Sequence, residues 1–402
     1  DATLLGSSTP ERRVDIGLAA LVNGALVRDL DANDIFAGPP GRDTGHFSDA
    51  IPAVLAAAER TGASGAEFLT AIVVAYEVQA ALATAYCWMN RGLHSVSQLA
   101  WAVPAAVGRL FGLTHDEVVS AIGLAGTTGG LTLNSWLKPG TSMPFIKGGA
   151  PGLIGKLALE ATELAALGFT APPDALETLF DRLPADADPT PFERLGEPGH
   201  FTITRNMLKR YPAQIYTQSA IEAAVTLHPE IESDDDIAVA TVYGHRGVAA
   251  GVQGSGAAYT PATRAAADHS TPFVVATALR DGDVSPVSYD GEPWLDPRMI
   301  DLMRRVDLVI DPEFENGLTE HGRFGCRLVV ELLDGRRLEA TVAQQHGHPD
   351  NPLSRDELLA KMRGLADRTM GQGTAERLLA AVEDLPRAPN LDRLLEACRA
   401  RR

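Results

Sequence analysis

The first half of this chain consists largely of alanine- and leucine-rich stretches in which apolar residues recur at helical spacing. This pattern runs through residues 68–78 and predicts further helices near Asp15–Arg28, Leu99–Phe111, Glu117–Ala125 and Gly152–Leu167. These stretches are apolar around most of the helix circumference, which is typical of helices buried inside a bundle. The first half of the chain therefore predicts a helical bundle.

Three predicted helix starts carry the same local signature. A serine or threonine is followed three positions later by a glutamate in Ser64 with Glu67, Thr114 with Glu117, and Ser354 with Glu357. In such a capping box the hydroxyl accepts a hydrogen bond from the backbone N–H of the glutamate, and the carboxylate accepts one from the N–H of the capping residue. We expect a helix to begin after each cap, so the C-terminal tail is predicted to be helical as well.

The character of the sequence changes after about Phe201. Strands are predicted at 236–243, at Val306–Ile310, and in a hairpin of Cys326–Leu333 and Arg336–Gln344 around an Asp-Gly turn, with helices at Ala262–Leu279 and Pro297–Arg305. Segments rich in glycine and proline at 184–198 and 347–352 flank this region. A chain of 402 residues is longer than a single domain with one hydrophobic core usually is, so we predict two domains. The fold is predicted to be mostly α-helical. A large all-helical domain would comprise 1–204 and 345–402, and a smaller α+β lid domain would comprise 205–344.

Charge and cysteine content limit the classes of partner and compartment. The net charge is −17, from 35 Lys+Arg and 52 Asp+Glu, which disfavours nucleic acid and anionic membrane surfaces as partners. No uninterrupted apolar run reaches the roughly 18 residues of a membrane span. Cys87, Cys326 and Cys398 are odd in number and far apart, and no secretory leader is visible at the start, so we expect a cytoplasmic protein. An anionic substrate would then require a local cluster of cationic side chains.

Two segments in the first half carry polar groups suited to acid–base chemistry. Asp31 lies in an acidic segment at the end of a predicted helix, and His46 follows it in a Gly-His-Phe-Ser-Asp sequence. This stretch is either an acidic helix end followed by a loop, or a carboxylate and an imidazole held near one pocket. His94 precedes an apolar helix and is either structural or a proton carrier that works near neutral pH.

Two lysines stand at places where an anion could bind. Lys147 leads into a helix whose first residues are small, so a carboxylate could approach both the ammonium group and the positive helix N-terminus. The alternative is a solvated lysine in a loop. Lys209 lies where the helical pattern gives way to the β-rich region, and clefts between domains are preferred sites for small molecules. A basic surface turn is the alternative there.

The segment from Arg264 to Ser270 combines an arginine with an adjacent Asp268-His269 pair. The pair is either a catalytic dyad or a buried structural pair that anchors the second domain. Elsewhere, His346 and His348 have poor spacing for a metal and no cysteine or carboxylate partner nearby in sequence, so we predict no metal site.

Taken in order along the chain, these pieces resemble the MmgE/PrpD family of 2-methylcitrate dehydratase, cis-aconitate decarboxylase and iminodisuccinate epimerase. The set covers most of the chain, and its order makes it specific although no single piece is. The pieces that carry the resemblance are Asn23-Gly24 through Asp34, Gly45-His46, His94, Lys147 with the helix after it, Leu167–Thr170, Lys209–Ala213 with Ala220-Ile221, and Arg264 with Asp268–Ser270.

The resemblance implies a helical domain, a lid domain, an active site in the cleft between them, a homodimer, and no metal or organic cofactor. By position, Asp31, His46, His94, Lys147 and Lys209 match active-site residues of the family. We expect the first four to be catalytic. Three further contacts to a small polycarboxylate substrate are expected from Lys209, Arg264 and Gln214.

This resemblance favours a lyase that dehydrates a 2-methylcitrate-like hydroxy acid. Removal of a proton α to a carboxylate requires cations to stabilise the enediolate, and Lys147, Lys209 and Arg264 are the candidates. His94 and Asp31 are expected to act as acid and base, in an order that the residues leave open. We also expect that Lys209→Met would lose substrate binding while both domains stay folded.

Departures from the family pattern keep other reactions open. Ile35 stands where many members carry a threonine, Gln214 stands where the decarboxylases carry a histidine, and no counterpart of their lid tyrosine is found. These differences disfavour decarboxylation. Decarboxylation nevertheless stays an alternative, together with epimerisation, a repurposed biosynthetic enzyme and a non-catalytic metabolite-binding protein, since one scaffold hosts all of them.

Overall fold

The computed structural model describes residues 1–7, 12–135, 143–182 and 187–400, so positions 184–186 of the first predicted loop lie outside it. The helices are α1 Ile16–Asp29, α2 Ile51–Thr61, α3 Gly65–Ala85, α4 Leu99–Gly108, α5 His115–Thr127, α6 Ile146–Ala166, α7 Ala175–Arg182, α8 Thr190–Glu193, α9 Gln218–Leu227, α10 Arg246–Ala249, α11 Gly251–Gly254, α12 Arg264–Ala267, α13 Thr271–Asp281, α14 Pro297–Arg304, α15 Pro312–His321, α16 Arg355–Met362, α17 Arg368–Met370, α18 Thr374–Asp384 and α19 Asp392–Ala397. The strands are β1 Ala2–Thr3, β2 Arg13–Val14, β3 Asp34–Ala37, β4 Thr44–Gly45, β5 Met207–Leu208, β6 Ile237–Gly244, β7 Val306–Ile310, β8 Cys326–Leu332 and β9 Arg337–Val342. A mostly α-helical fold with an α+β part is therefore confirmed.

The helix starts that were predicted from capping residues are confirmed. All three predicted capping boxes form, before α3, α5 and α16, with both reciprocal hydrogen bonds present. Asp15 caps α1, because its carboxylate accepts hydrogen bonds from the N–H groups of Gly17 and Leu18. These contacts involve residues within three positions of each other, which is why they can be read from sequence.

The predicted helix Ala262–Leu279 is wrong as one element. It is two helices, α12 and α13, separated at Asp268–Ser270. The hydroxyl of Ser270 accepts a hydrogen bond from the N–H of Phe273, and a proline follows in the first turn, so a new helix starts there. The break turns Asp268 and His269 out of the regular helical path.

The second half of the chain contains a four-stranded sheet in the order β7-β6-β8-β9. Strand β6 pairs in parallel with β7 and antiparallel with β8, and β8 pairs antiparallel with β9. The predicted Asp334-Gly335 turn joins β8 to β9, with Gly335 at a φ of 89° that only glycine adopts easily. The predicted strands and hairpin are thus present.

A small three-stranded sheet, in the order β4-β3-β5, was not predicted from the sequence. Strand β3 pairs with β5 so that Asp34 lies opposite Leu208 and Ile35 opposite Met207. Segments this short carry no hydrophobic period, so nothing in the sequence distinguishes them from loops. This pairing holds the segment after α1 against the segment that carries Lys209.

Two large apolar cores, beside two smaller clusters, organise the described residues. The first contains side chains of α1–α6, and the tail adds Leu385, Leu391 and Leu395 to it. The second lies between residues 211 and 338 and covers the four-stranded sheet. The end of the chain therefore packs on the first helical group. The domain boundaries 1–204, 345–402 and 205–344 stay a prediction.

Helix α3 is long and apolar enough to cross a membrane by length and composition alone. An 18-residue window of it has a mean hydropathy of 1.6, and 56% of that window is buried inside the structure. Its buried residues Phe68, Ala71 and Ala75 belong to the first core. Burial of this kind is what a core helix of a folded domain requires, since its apolar face must pack against other helices.

Helices α1 and α6 cross at two glycines. A Cβ atom on Gly24 would lie 2.7 Å from the Cα of Gly152, and one on Gly152 would lie 2.1 Å from the backbone oxygen of Leu21. Only glycine permits backbones to approach this closely. Because α1 ends just before Asp31 and α6 begins at Ile146, beside Lys147, the crossing brings these two residues towards each other.

Candidate active site

One cavity of about 220 Å³ collects most of the predicted site residues. It is lined by side chains from the helical first half and from the second half of the chain. Six of the seven predicted residues line it, namely Asp31, His46, His94, Lys147, Lys209 and Gln214. Their roles stay predictions, but the chain does bring them together.

Asp31 is the residue on which the buried cations of this cavity converge. It follows α1 with a φ of 48°, in the left-handed region that non-glycine residues rarely adopt. The Lys209 ammonium lies 2.9 Å from its Oδ2 and donates a hydrogen bond to its backbone oxygen at 3.0 Å. The Lys147 ammonium lies 3.5 Å from its Oδ1. The strained backbone thus offers both the carboxylate and the carbonyl of one residue to the lysines.

The charges in this group influence each other strongly. Burial opposes ionisation of Asp31, but Lys147 and Lys209 outweigh it and hold the pKa of Asp31 well below its usual value. Burial lowers the pKa of Lys209 to about 8, with Arg28 and Lys147 adding to the effect against the attraction of Asp31. Near neutral pH, Asp31 is therefore an anion and Lys209 a cation.

Two cations beside this group were not predicted. Arg28 lines the cavity, with its Nη1 2.8 Å from Oδ2 of Asp49 and its Nε 3.8 Å from Oδ1 of Asp31. Its position three residues before Asp31, in the last turn of α1, was the available signal. Lys361, on α16, donates hydrogen bonds to the backbone oxygens of Ala32 and Lys209. No sequence signal relates Lys361 to this place.

Hydrogen bonds determine which ring nitrogen of two histidines carries the proton. His46 Nδ1 lies 2.6 Å from the backbone oxygen of Asp34, and a carbonyl oxygen only accepts, so this nitrogen carries the proton and Nε2 is bare in the neutral ring. His94 Nδ1 instead accepts a hydrogen bond from the N–H of Val96 at 3.2 Å, which leaves the proton on Nε2. His46 can therefore accept a proton at Nε2, whereas neutral His94 is a hydrogen-bond donor there.

Both rings are neutral at physiological pH. Burial, together with Arg28 and Lys147, lowers the pKa of His94 to about 3. Burial, together with Arg28 and Lys209, holds the pKa of His46 well below its usual value. A neutral imidazole is the form that can take up a proton or polarise an oxygen without carrying charge.

His269 also lines the cavity, and the structure thereby resolves where the Asp268-His269 pair lies. His269 is 4% exposed and Asp268 is fully buried. The Nδ1 atom of His269 lies 2.5 Å from Oδ1 of Asp268. Burial lowers the pKa of His269, with Lys147 adding to the effect, so this ring is neutral as well.

Arg264 is the predicted residue that the structure does not bring to the cavity. Its Nη1 donates a hydrogen bond to the backbone oxygen of Asp29 at 2.6 Å and lies 3.6 Å from Oδ2 of Asp268. Its guanidinium lies 4.7 Å from the ring centre of Tyr289. It lines a neighbouring cavity that shares Arg28 and Lys147. The hydrogen bond to Asp29 joins the two halves of the chain, and the contact of Arg264 with substrate stays a prediction.

Gln214 and four apolar side chains also line the cavity. The Oε1 atom of Gln214 accepts a hydrogen bond from the N–H of Tyr216 at 2.6 Å, so its amide group is turned towards its own backbone. The apolar residues are Ile35, Met89, Ile215 and Val252. A ligand in this cavity would thus meet cations and imidazoles together with an apolar surface.

Among the described residues, one group of side chains has the spacing to hold a metal ion. Ligand atoms of Asp31, Asp268 and His269 lie within 4.8 Å of one another. However, Lys147 and Lys209 already approach both carboxylate oxygens of Asp31. Their charges would repel a divalent cation, so this donor set fits a metal poorly. We assign no ligands here, and the absence of a metal stays a prediction.

Two family models match most of this chain. The MmgE/PrpD N-terminal domain model matches residues 1–182, and the MmgE/PrpD C-terminal domain model matches residues 211–387. The 2-methylcitrate dehydratase of Cupriavidus necator is 29% identical over 345 residues, which are 81% of this chain and 69% of that protein. The mitochondrial 2-methylcitrate dehydratase of Yarrowia lipolytica is 26% identical over 94% of this chain and 75% of its own length. Human cis-aconitate decarboxylase is 25% identical over 94% of this chain and 78% of its own length. The chain therefore belongs to the MmgE/PrpD family.

Proposed function

We propose that this chain is a lyase that removes water from a small hydroxy-polycarboxylate of the 2-methylcitrate type, without a metal or organic cofactor. The observation that carries the proposal is the pair of buried lysines on Asp31, beside three neutral histidines in one cavity. Relatives named 2-methylcitrate dehydratase support the same reaction.

Substrate binding follows from the charges of the cavity. Lys147, Lys209 and Arg28 are buried cations in a chain that is otherwise strongly negative, so a polycarboxylate would bind where they converge. The same cations would stabilise the negative charge that develops on a substrate carboxylate when the neighbouring carbon loses a proton. The apolar residues could contact a methyl substituent.

The proton steps can be divided among these groups. Asp31 is a poor acid because its neighbours keep it ionised, so we propose that it orients the two lysines. The ammonium of Lys209, with its lowered pKa, would protonate the departing hydroxyl group. His94 would donate a hydrogen bond from Nε2 to the enediolate oxygen, as a neutral imidazole does in other enolising enzymes. A neutral histidine with a bare Nε2 would take the proton from carbon.

The decisive experiment is an NMR assay of the purified protein with 2-methylcitrate, citrate, cis-aconitate and iminodisuccinate, each without added metal. We expect a new alkene signal from 2-methylcitrate. Itaconate from cis-aconitate would instead indicate decarboxylation. This is the second candidate reaction because one relative is the human cis-aconitate decarboxylase. An inverted centre in iminodisuccinate would indicate epimerisation, and no turnover of any compound would contradict the proposal.

The pH dependence tests the role of Lys209. Since its pKa lies near 8, its ammonium is present below that pH and is lost as the pH rises above it. We therefore expect kcat/KM to fall about tenfold per pH unit above the pKa of this one group in the free enzyme. Burial and the charge of Lys209 also lower the pKa of Lys361 to about 8, so this neighbouring lysine titrates in the same pH range. Initial rates between about pH 6 and 10 measure this, and a rate that stays constant up to the usual lysine range would contradict it.

Chelation tests the absence of a metal. We expect a large excess of EDTA to leave turnover unchanged, because the only described group with suitable spacing faces two lysines. Turnover before and after dialysis against EDTA is the measurement. If EDTA abolishes turnover and one divalent metal restores it, the prediction of a metal-independent reaction is wrong.

We also propose a homodimer in the cytoplasm. The dimer rests on the family resemblance and on large apolar side chains exposed along the first helices, such as Leu18, Leu26 and Leu153. Light scattering at micromolar concentration should give twice the mass of 42.6 kDa. A monomeric mass would exclude the dimer without affecting the proposed reaction.

A further inference from the structure

The Asp268-His269 pair is the strongest polar arrangement in the cavity that the proposed roles above leave unassigned. Its position depends on the break between α12 and α13, which places both residues in the loop before the new helix. Asp268 is fully buried, and His269 is 4% exposed but lines the cavity. A buried carboxylate bonded to an imidazole at a ligand cavity is the arrangement of a histidine base.

The hydrogen bond also decides the tautomer of His269. A carboxylate only accepts, so Nδ1 carries the proton and Nε2 has the lone pair. Within the described part of the chain, Nε2 has no hydrogen-bond partner, and the ring lines the same cavity as Lys147 and Lys209. Nε2 is therefore available to a substrate held by the two lysines.

Two histidines present a bare Nε2, and their partners distinguish them. His46 is bonded through Nδ1 to a backbone carbonyl, which carries only a partial charge. His269 is bonded through Nδ1 to a full carboxylate, which stabilises the imidazolium that forms when the ring accepts a proton. Proton removal from a weakly acidic carbon requires the stronger base of the two, so His269 is favoured over His46.

Further contacts hold Asp268 in its place. Arg264 lies 3.6 Å from the second oxygen of Asp268, and the backbone oxygen of Asp268 accepts a hydrogen bond from the N–H of Gln214 at 3.0 Å. The Arg264 side chain is itself held by the backbone oxygen of Asp29 and by the ring of Tyr289. Arg264 is thus a positioning residue for the pair, which explains why it lies outside the cavity.

We propose that His269, oriented by Asp268, is the base that removes the α-proton of the polycarboxylate. This inference rests on the proposed dehydration. The C–H electron pair first moves into the neighbouring carboxylate, which becomes the enediolate, and then forms the new carbon–carbon double bond as the C–O bond breaks. The proton moves to Nε2 of His269, and the departing hydroxide takes a proton from the ammonium of Lys209 and leaves as water. Return of the His269 proton to the lysine through solvent restores the starting state, so the step balances without any further reactant.

The test compares His269→Gln, His269→Gly and Asp268→Asn in the full chain, on whichever compound the wild type turns over. General base catalysis contributes about 10²–10⁴-fold, so His269→Gln should lose kcat by that factor while KM changes little. Asp268→Asn should reduce kcat similarly, because the amide can donate to Nδ1 and so move the ring proton to Nε2. Added imidazole should restore part of the activity of His269→Gly, which a purely structural role would not allow.

His228→Gln is the matched control, because His228 also bonds through Nδ1, to the backbone oxygen of Leu279, but does not line the cavity. It should retain wild-type kcat. Full activity of His269→Gln together with inactivity of His46→Gln would overturn the assignment in favour of His46 and leave the dehydration intact. Absence of any turnover by the wild type would remove both proposals.

Discussion

Lys209→Met should abolish turnover and also lower the free energy of unfolding by about 3–5 kcal/mol, the range for removing one partner of a buried ion pair. Lys209 is 1% exposed and forms both a salt bridge and a backbone hydrogen bond to Asp31. Methionine preserves the apolar stem but leaves the Asp31 carboxylate with only the more distant Lys147 ammonium and Arg28 guanidinium. Chemical denaturation and the substrate assay measure the two effects.

This expectation differs from the one based on sequence, in which Lys209→Met kept both domains folded. The difference arises because the ammonium is bound to Asp31 within the protein as well as facing the cavity. The double variant Lys209→Met with Asp31→Asn should also be inactive and should not regain wild-type stability, because Lys147 then loses its carboxylate partner. Arg205→Met, at an exposed position four residues earlier, should resemble the wild type in both measurements. A stable and active Lys209→Met would show that the site lies elsewhere.

Gly152→Ala should disturb the site from a distance. Its new Cβ would lie 2.1 Å from the backbone oxygen of Leu21, and backbone cannot move aside as a flexible side chain can. Overpacking of this kind costs about 1–3 kcal/mol or more. Helices α1 and α6 must separate, and this would lengthen the 3.5 Å distance between Lys147 and Asp31. Since a misplacement of about 1 Å can reduce a rate about a hundredfold, we expect a large loss of kcat.

Gly149→Ala is the control on the same helix. The nearest atom to its new Cβ would be the Cδ1 of Ile146 at 3.9 Å, so the methyl group fits without any shift. Alanine is preferred over glycine within a helix by about 1 kcal/mol, so this variant should be slightly more stable and fully active. Equal behaviour of the two alanine variants in thermal unfolding and turnover would show that the crossing of α1 and α6 does not set the site.

The features that the sequence determined by itself are those with local causes. The capping boxes at Ser64, Thr114 and Ser354 join residues three positions apart, and the Asp-Gly hairpin joins neighbouring strands. The ordered motifs also identified six residues that line one cavity. Such signals survive in sequence because each needs only a short stretch of chain to be specified.

The roles within the cavity were decided by contacts between distant parts of the chain. Lys209 bonds to Asp31 across 178 positions, and Arg264 bonds to Asp29 across 235. The pairing of β3 with β5 brings the first of these together, and the break between α12 and α13 places His269 at the cavity. The residue type alone tells the chemistry of a lysine or arginine side chain, but not which group that side chain will contact.

Whether such a side chain faces a ligand, a carboxylate or a backbone oxygen depends on what folding places within about 3 Å of it, the distance of a hydrogen bond. The same holds for the histidines, because the proton of each neutral ring follows the partner of its Nδ1. That partner is a carbonyl for His46, an N–H group for His94 and a carboxylate for His269. The sequence therefore indicated six of the residues that line the cavity, and the tertiary structure decided which side chains can give a proton and which can take one.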